Sequence, residues 1–141
     1  MIKVIYWSGT GNTKAMAEFI EQGIQASDKA VELKEVDTAS LADVEAAEVL
    51  VLGCSSMGAE ELEEFEMEPF VESLDGHVSG KKIALFGSYG WGSGEWMDTW
   101  KERMENYGAQ LIVEPLIVND MPIGEDETNC VEFGKQIAQH A

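Results

Sequence analysis

Cations, cysteines, prolines and histidines are all scarce in this chain: nine Lys and Arg against 27 Asp and Glu, with two Cys, three Pro and two His in 141 residues. Cys54 and Cys130 lie far apart and match no CxxC or zinc-ligand spacing. A disulfide framework and a metal site are therefore excluded, and both residues are expected to be buried, reduced thiols. No apolar run approaches the roughly 18 residues of a membrane span. The opening MIKVIYWSGTG passes from a short apolar stretch into a Gly-rich turn rather than a signal-peptide cleavage region, so cytoplasm is the expected location. The formal charge of -18 repels nucleic-acid phosphates and anionic lipid headgroups alike. A small anion can bind only where backbone dipoles overcome that field, and a protein partner is expected to present a basic face.

What remains describes a folded chain of one domain, residues 1–141, able to bury roughly two thirds of its unfolded surface. The hydrophobic share of 45% argues against disorder. Aliphatic, β-branched runs at Ile2–Trp7, Val31–Val36, Val49–Gly53, Lys82–Phe86 and Leu111–Val118 predict strands. Met16, Phe19, Ile20, Gly23 and Ile24 mark one face of a first helix. Shorter patterns follow at Leu41–Ala46 and at the acidic Glu61–Leu74, where Leu62, Phe65, Phe70 and Leu74 are the expected buried positions and Pro69 shapes the start of the helical part. The last two helices run from Glu95 to Tyr107, before Gly108, and from about Glu125 to the end, burying Val131, Phe133, Ile137 and Ala138. Strand and helix alternate five times, which predicts an open, doubly wound parallel α/β sheet with helices on both faces. Such sheets bind ligands beyond the carboxyl ends of their strands, so the loops after the first, third and fourth strands are the places to look.

Between the first strand and first helix, Ser8-Gly9-Thr10-Gly11-Asn12-Thr13 combines two glycines with four hydroxyl or amide side chains. Free N–H groups at a helix start carry partial positive charge, so the segment suits a phosphate, with Lys14 the nearest cation. It is neither a Walker A loop nor a dinucleotide fingerprint, since Gly11 is followed by Asn-Thr-Lys. On these residues alone a turn with an N-cap is the lesser alternative.

The segment resembles the phosphate loop of flavodoxins. The likeness continues through Gly53-Cys54-Ser55-Ser56-Met57-Gly58 and Phe86-Gly87-Ser88-Tyr89-Gly90-Trp91-Gly92-Ser93-Gly94, and it is closest to the short-chain clostridial type. The resemblance implies a five-stranded sheet of order 2-1-3-4-5 and a non-covalently bound flavin mononucleotide, FMN. Met57 and Trp91 would cover the two faces of its ring, a polarizable thioether opposite a stacking indole. Ser8, Gly9, Thr10, Gly11, Asn12 and Thr13 would cradle the phosphate, and Ser55 would meet the phosphate or ribityl chain. Ser88, Gly90 and Trp91 would meet the ribityl and pyrimidine end, and Glu60 the ring's N–H edge. Ser56, Tyr89 and Asn119 complete the expected set. Gly58 would let the Met57–Gly58 peptide flip so that the Met57 carbonyl accepts N5–H of the neutral semiquinone. Ala59 stands where clostridial relatives can carry an acidic residue.

No catalytic residue is expected. His77 reads as a surface turn, His140 is next to the C-terminus, and Cys54 has no neighbouring cation or His to activate it. Three loops devoted to one cofactor, without substrate-activating acids and bases, imply an electron carrier rather than an enzyme. It would cycle between semiquinone and hydroquinone at low potential, because surrounding carboxylates and the phosphate disfavour the anionic hydroquinone. Its partners would be redox proteins with basic docking faces, and the carrier would be monomeric. The main alternative is an FMN-dependent quinone or nitro-compound reductase. A phosphoacceptor signalling domain is disfavoured, because Ser8, Gly53 and Asn119 stand where it needs acidic residues and Lys.

Overall fold

Val49–Cys54 is buried at all six positions, as befits a central parallel strand with helices over both faces. The computed structural model describes residues 1–141. In chain order the elements are β1 (Ile2–Trp7), α1 (Asn12–Ala26), β2 (Val31–Glu35), α2 (Leu41–Ala46), β3 (Val49–Cys54), α3 (Met67–Ser73), β4 (Lys82–Tyr89), α4 (Glu95–Asn106), β5 (Gln110–Leu111), β6 (Leu116–Asn119) and α5 (Glu125–Ala138). The sheet is parallel throughout, in the order β2-β1-β3-β4-β5, with β6 also on β4.

Alternation along the strands builds two cores. Ile2, Val4, Tyr6, Val49, Val51, Ala84 and Phe86 face Met16, Ala17, Ile20 and Ile24 of α1 and Cys130, Phe133 and Ile137 of α5. Ile5, Leu50, Leu52, Ile83 and Leu85 face Val44 of α2, Met67 and Val71 of α3, and Trp96, Met97, Trp100 and Met104 of α4. Each fully buried aliphatic side chain contributes about 1.5–3 kcal/mol. On the first face α1 and α5 nearly touch: a Cβ on Gly23 would strike the Val131 carbonyl, and one on Gly134 the Ile20 carbonyl. The edge strand β2 carries Glu32, Lys34 and Glu35, charges that discourage edge-to-edge pairing.

Three sequence expectations need correction. The fifth strand is not continuous over Leu111–Val118 but broken between β5 and β6, because Pro115 lacks an N–H and cannot join a ladder. The fourth strand runs on past Phe86 to Tyr89, since β6 pairs there, Phe86 with Leu116 through Tyr89 with Asn119. The third helical stretch shrinks to Met67–Ser73, and Phe65, expected to be buried, is 82% exposed. The cause is Glu63, whose buried carboxylate accepts hydrogen bonds from the amides of Phe65 (2.6 Å), Glu66 (2.8 Å) and Met67 (3.0 Å). It thereby satisfies donors at the amino end of α3 and turns the chain so that Phe65 points outward. Pro69 sits in the first turn of α3, where its missing N–H costs nothing.

Candidate functional site

The chain steps from β1 to β2 on one side and returns to β3 on the other, so strand order reverses between β1 and β3. These two strands stay in register to their carboxyl ends, Trp7 opposite Cys54. The loops after them, with the end of β4, enclose a cleft of about 220 Å³ lined by Trp7, Gly9, Thr10, Asn12, Ser55, Ser56, Met57, Ser88, Tyr89, Gly90 and Asp120. All but Trp7 and Asp120 are residues expected from the sequence.

Hydroxyl groups tie the three loops together. Thr13 Oγ1 and Ser55 Oγ are 2.7 Å apart, and the Ser88 amide donates to Thr13 Oγ1 at 3.3 Å. Ser88 Oγ donates to the Asp120 carbonyl at 2.7 Å, and the Ser56 amide to the Ser88 carbonyl at 3.0 Å. Thr13 and Ser88 are buried, so these bonds are made in low dielectric and leave no slack between the loops. Ser8 Oγ accepts from the amides of Gly11 and Lys14 at 3.1 and 3.2 Å. The amides of Gly9, Thr10, Asn12 and Thr13 are left without an acceptor in the chain. They stand at the positive end of a 15-residue helix whose first turn carries no acidic residue, which is an anion cradle in a molecule otherwise hostile to anions.

Gly58, Glu60, Trp91 and Asn119 are not among the residues that line the cleft. Met57 and Glu61 exchange two backbone hydrogen bonds of 2.8 Å, closing a turn in which Gly58 has φ +53°. The Met57 carbonyl is thus already held by the Glu61 amide, and a flip of the Met57–Gly58 peptide would break that bond. The Glu60 carboxylate accepts from the Gly94 and Glu95 amides at 3.0 and 3.2 Å, tethering the β3 loop to the amino end of α4. Asn119 Nδ2 donates to the Tyr89 carbonyl at 3.2 Å and holds β6 beside β4. Trp91 is 64% exposed and Met57 40%. The Tyr89 ring is braced by Trp96, centroids 5.7 Å apart.

Trp7 and Asp120 escaped the sequence reading. Trp7 was legible in principle, as the last residue of a strand whose carboxyl end faces the site. Asp120 was not, because it reaches the cleft only through the pairing of β6 with β4. Neither thiol adds reactivity: burial pushes both Cys54 and Cys130 up to about 12.

Residues 4–134 match the family model described as flavodoxin. The chain belongs to the flavodoxin family. A flavodoxin of Clostridium beijerinckii is 51% identical over 137 residues, covering 97% of this chain and 99% of that protein. One from Megasphaera elsdenii is 47% identical over 139 residues, covering 99% of each. The solution structure of the two-electron reduced Megasphaera elsdenii flavodoxin matches this fold with a TM-score of 0.91 at 47% identity, covering 99% of each chain. This flavodoxin is accordingly an FMN-binding electron-transfer protein working with redox partner proteins. The residues present fit the cofactor: acceptor-free amides for a phosphate, and a cleft walled by Trp7, Met57 and Tyr89 for a flat aromatic ring. No helix is long and apolar enough to cross a membrane.

Proposed function

We propose that this flavodoxin, one domain over residues 1–141, is a cytoplasmic, monomeric electron carrier with no substrate of its own. It would hand electrons to redox proteins that present basic faces. FMN, when bound, supplies the one-electron chemistry; the chain's residues bind it, orient it and set its electrostatics. In this reading the amides of Gly9, Thr10, Asn12 and Thr13 hold the phosphate, assisted by the Thr10 hydroxyl and the Asn12 side chain. Ser55, Ser56, Ser88 and Gly90 follow the ribityl chain. Met57, with Trp91 beside the cleft mouth, shields the ring.

The observation that carries the reading is the cradle itself, four acceptor-free amides at the loop that borders a cleft walled by Trp7, Met57 and Tyr89. The absence of acid–base pairs from the cleft lining supports a carrier over an enzyme: Asp120 is its only titratable carboxylate and no His lines it. Titration of the purified protein with FMN should quench flavin fluorescence to a sharp 1:1 end point. Replacing Thr10 and Asn12 together by Ala should weaken binding by about tenfold or more. Steady turnover of NAD(P)H with a quinone by the FMN-loaded protein alone would instead establish a flavin reductase.

A further inference from the structure

Beside the cofactor cleft lies a second hollow of about 280 Å³, and the two share Trp7 and Met57. Leu62 and Phe65 complete its apolar wall, while the exposed Glu61 and Glu64 stand at its rim. The fold has no need of Phe65 in this position: it belongs to neither core, and 82% of it faces solvent. Nor is it on a loose loop. The Phe65 amide is bound at 2.6 Å by the buried Glu63 carboxylate, which also grips Glu66 and Met67. An exposed aromatic on a fixed backbone, next to an apolar hollow and ringed by carboxylates, has the makeup of a docking anchor, whose ordering cost is met before a partner arrives.

Resting on the carrier reading above, we infer that Phe65 and the hollow behind it form the docking point for a redox protein whose exposed prosthetic-group edge lies in an apolar patch ringed by lysines. Charge selects that occupant. Glu61, Glu64 and Glu66 around Phe65 are exposed, so a basic rim is attracted and an acidic one repelled. A second copy of the chain, also at -18, is repelled at low ionic strength. Continuity with the cleft through Trp7 and Met57 places a partner held here against the cofactor's own wall.

The test uses the FMN-loaded protein and ferric mitochondrial-type cytochrome c, a basic haem protein, as the probe, with binding measured calorimetrically at low ionic strength. Phe65→Ala should weaken binding by about tenfold or more, Phe65→Tyr should retain it, and both should keep the parent's FMN affinity and unfolding midpoint. Glu64→Gln should lower the association rate and its salt dependence. Equal affinity of parent and Phe65→Ala, with the parent binding well, overturns the Phe65 assignment and leaves the carrier reading intact. No binding of the probe by the parent overturns the docking inference as well, while the carrier reading is decided separately by the FMN titration and the reductase assay above. Sedimentation showing a dimer that Phe65→Ala dissolves assigns the patch to a second copy and also overturns the inference.

Discussion

At the scale of single residues, a few buried polar groups hold the site together, and each has a measurable cost of removal. Thr13 is the plainest case. Its hydroxyl bridges Ser55 Oγ and the Ser88 amide from full burial, so Thr13→Val keeps the shape and strands both partners. Urea unfolding should show a loss of about 1–3 kcal/mol, and FMN titration of the same variant should show weaker binding as the loops separate. Asp43 plays the same part away from the site. It accepts from Lys3 Nζ (3.2 Å), Lys34 Nζ (3.1 Å) and the Ser40 amide (2.9 Å). Burial would raise its carboxyl, but the hydrogen bonds from Lys34, Ser40 and Lys3 outweigh burial and bring it down from 3.8 to about 2. A carboxyl depressed in the folded state stabilises above its unfolded value and ceases to do so as pH falls through the folded one. Asp43→Asn should therefore cost about 1–2 kcal/mol at neutral pH. That difference from the parent should shrink as pH falls from about 4 to 2, as followed by denaturant melts along a pH series.

At the scale of elements, carboxylates that look like surface decoration in the acidic run turn out to end helices. Glu63 serves α3 and Glu60 serves α4, so two of the most negative-looking positions are bound to backbone rather than to water. A composition-based reading cannot separate them from Glu61 or Glu64, because the distinction is which amides lie within reach after folding. The contact of α1 with α5 is likewise set by what is missing. Gly23 and Gly134 let the two backbones meet, and a methyl at Gly134 would run into the Ile20 carbonyl, which cannot swing aside as a side chain could. Gly134→Ala gains helix propensity but should still lower stability by about 1–3 kcal/mol, because α5 must lift from α1. Equilibrium unfolding in urea measures this, and FMN binding should weaken with it as the α1 amides lose their alignment.

At the scale of the whole molecule, charge dominates. A net -18 opposes compaction and the approach of an anionic cofactor, and the amino end of α1, with no acidic residue in its first turn, offsets it locally. Added salt screens the repulsion, so the unfolding midpoint of the protein should rise between low and physiological ionic strength. Over the same range the association rate with a basic redox protein should fall by about tenfold or more. A differential-scanning salt series together with stopped-flow mixing reads both trends. Opposite responses of stability and association are the expected mark of one field acting within the molecule and between molecules.

The alternation of strands and helices, the parallel sheet and the Gly-rich turn that opens α1 were all determined by local pattern, hydrophobic period two in the strands and near 3.6 in the helices. These properties depend on neighbours in the chain, so they are legible without a fold. What only the tertiary structure decided depends on distant segments meeting. Pairing of Phe86–Tyr89 with Leu116–Asn119 carried β4 to Tyr89 and brought Asp120 to the cleft. Thr13 found Ser55 and Ser88 across three loops. Glu63 turned inward to the amides of its own loop and put Phe65, an apolar residue that pattern alone would bury, out into water. A buried carboxylate costs several kcal/mol unless it is hydrogen-bonded; the amides that satisfy Glu63 lie only two to four residues on, so what the packing of the folded chain decides is that this carboxylate is buried and Phe65 is not.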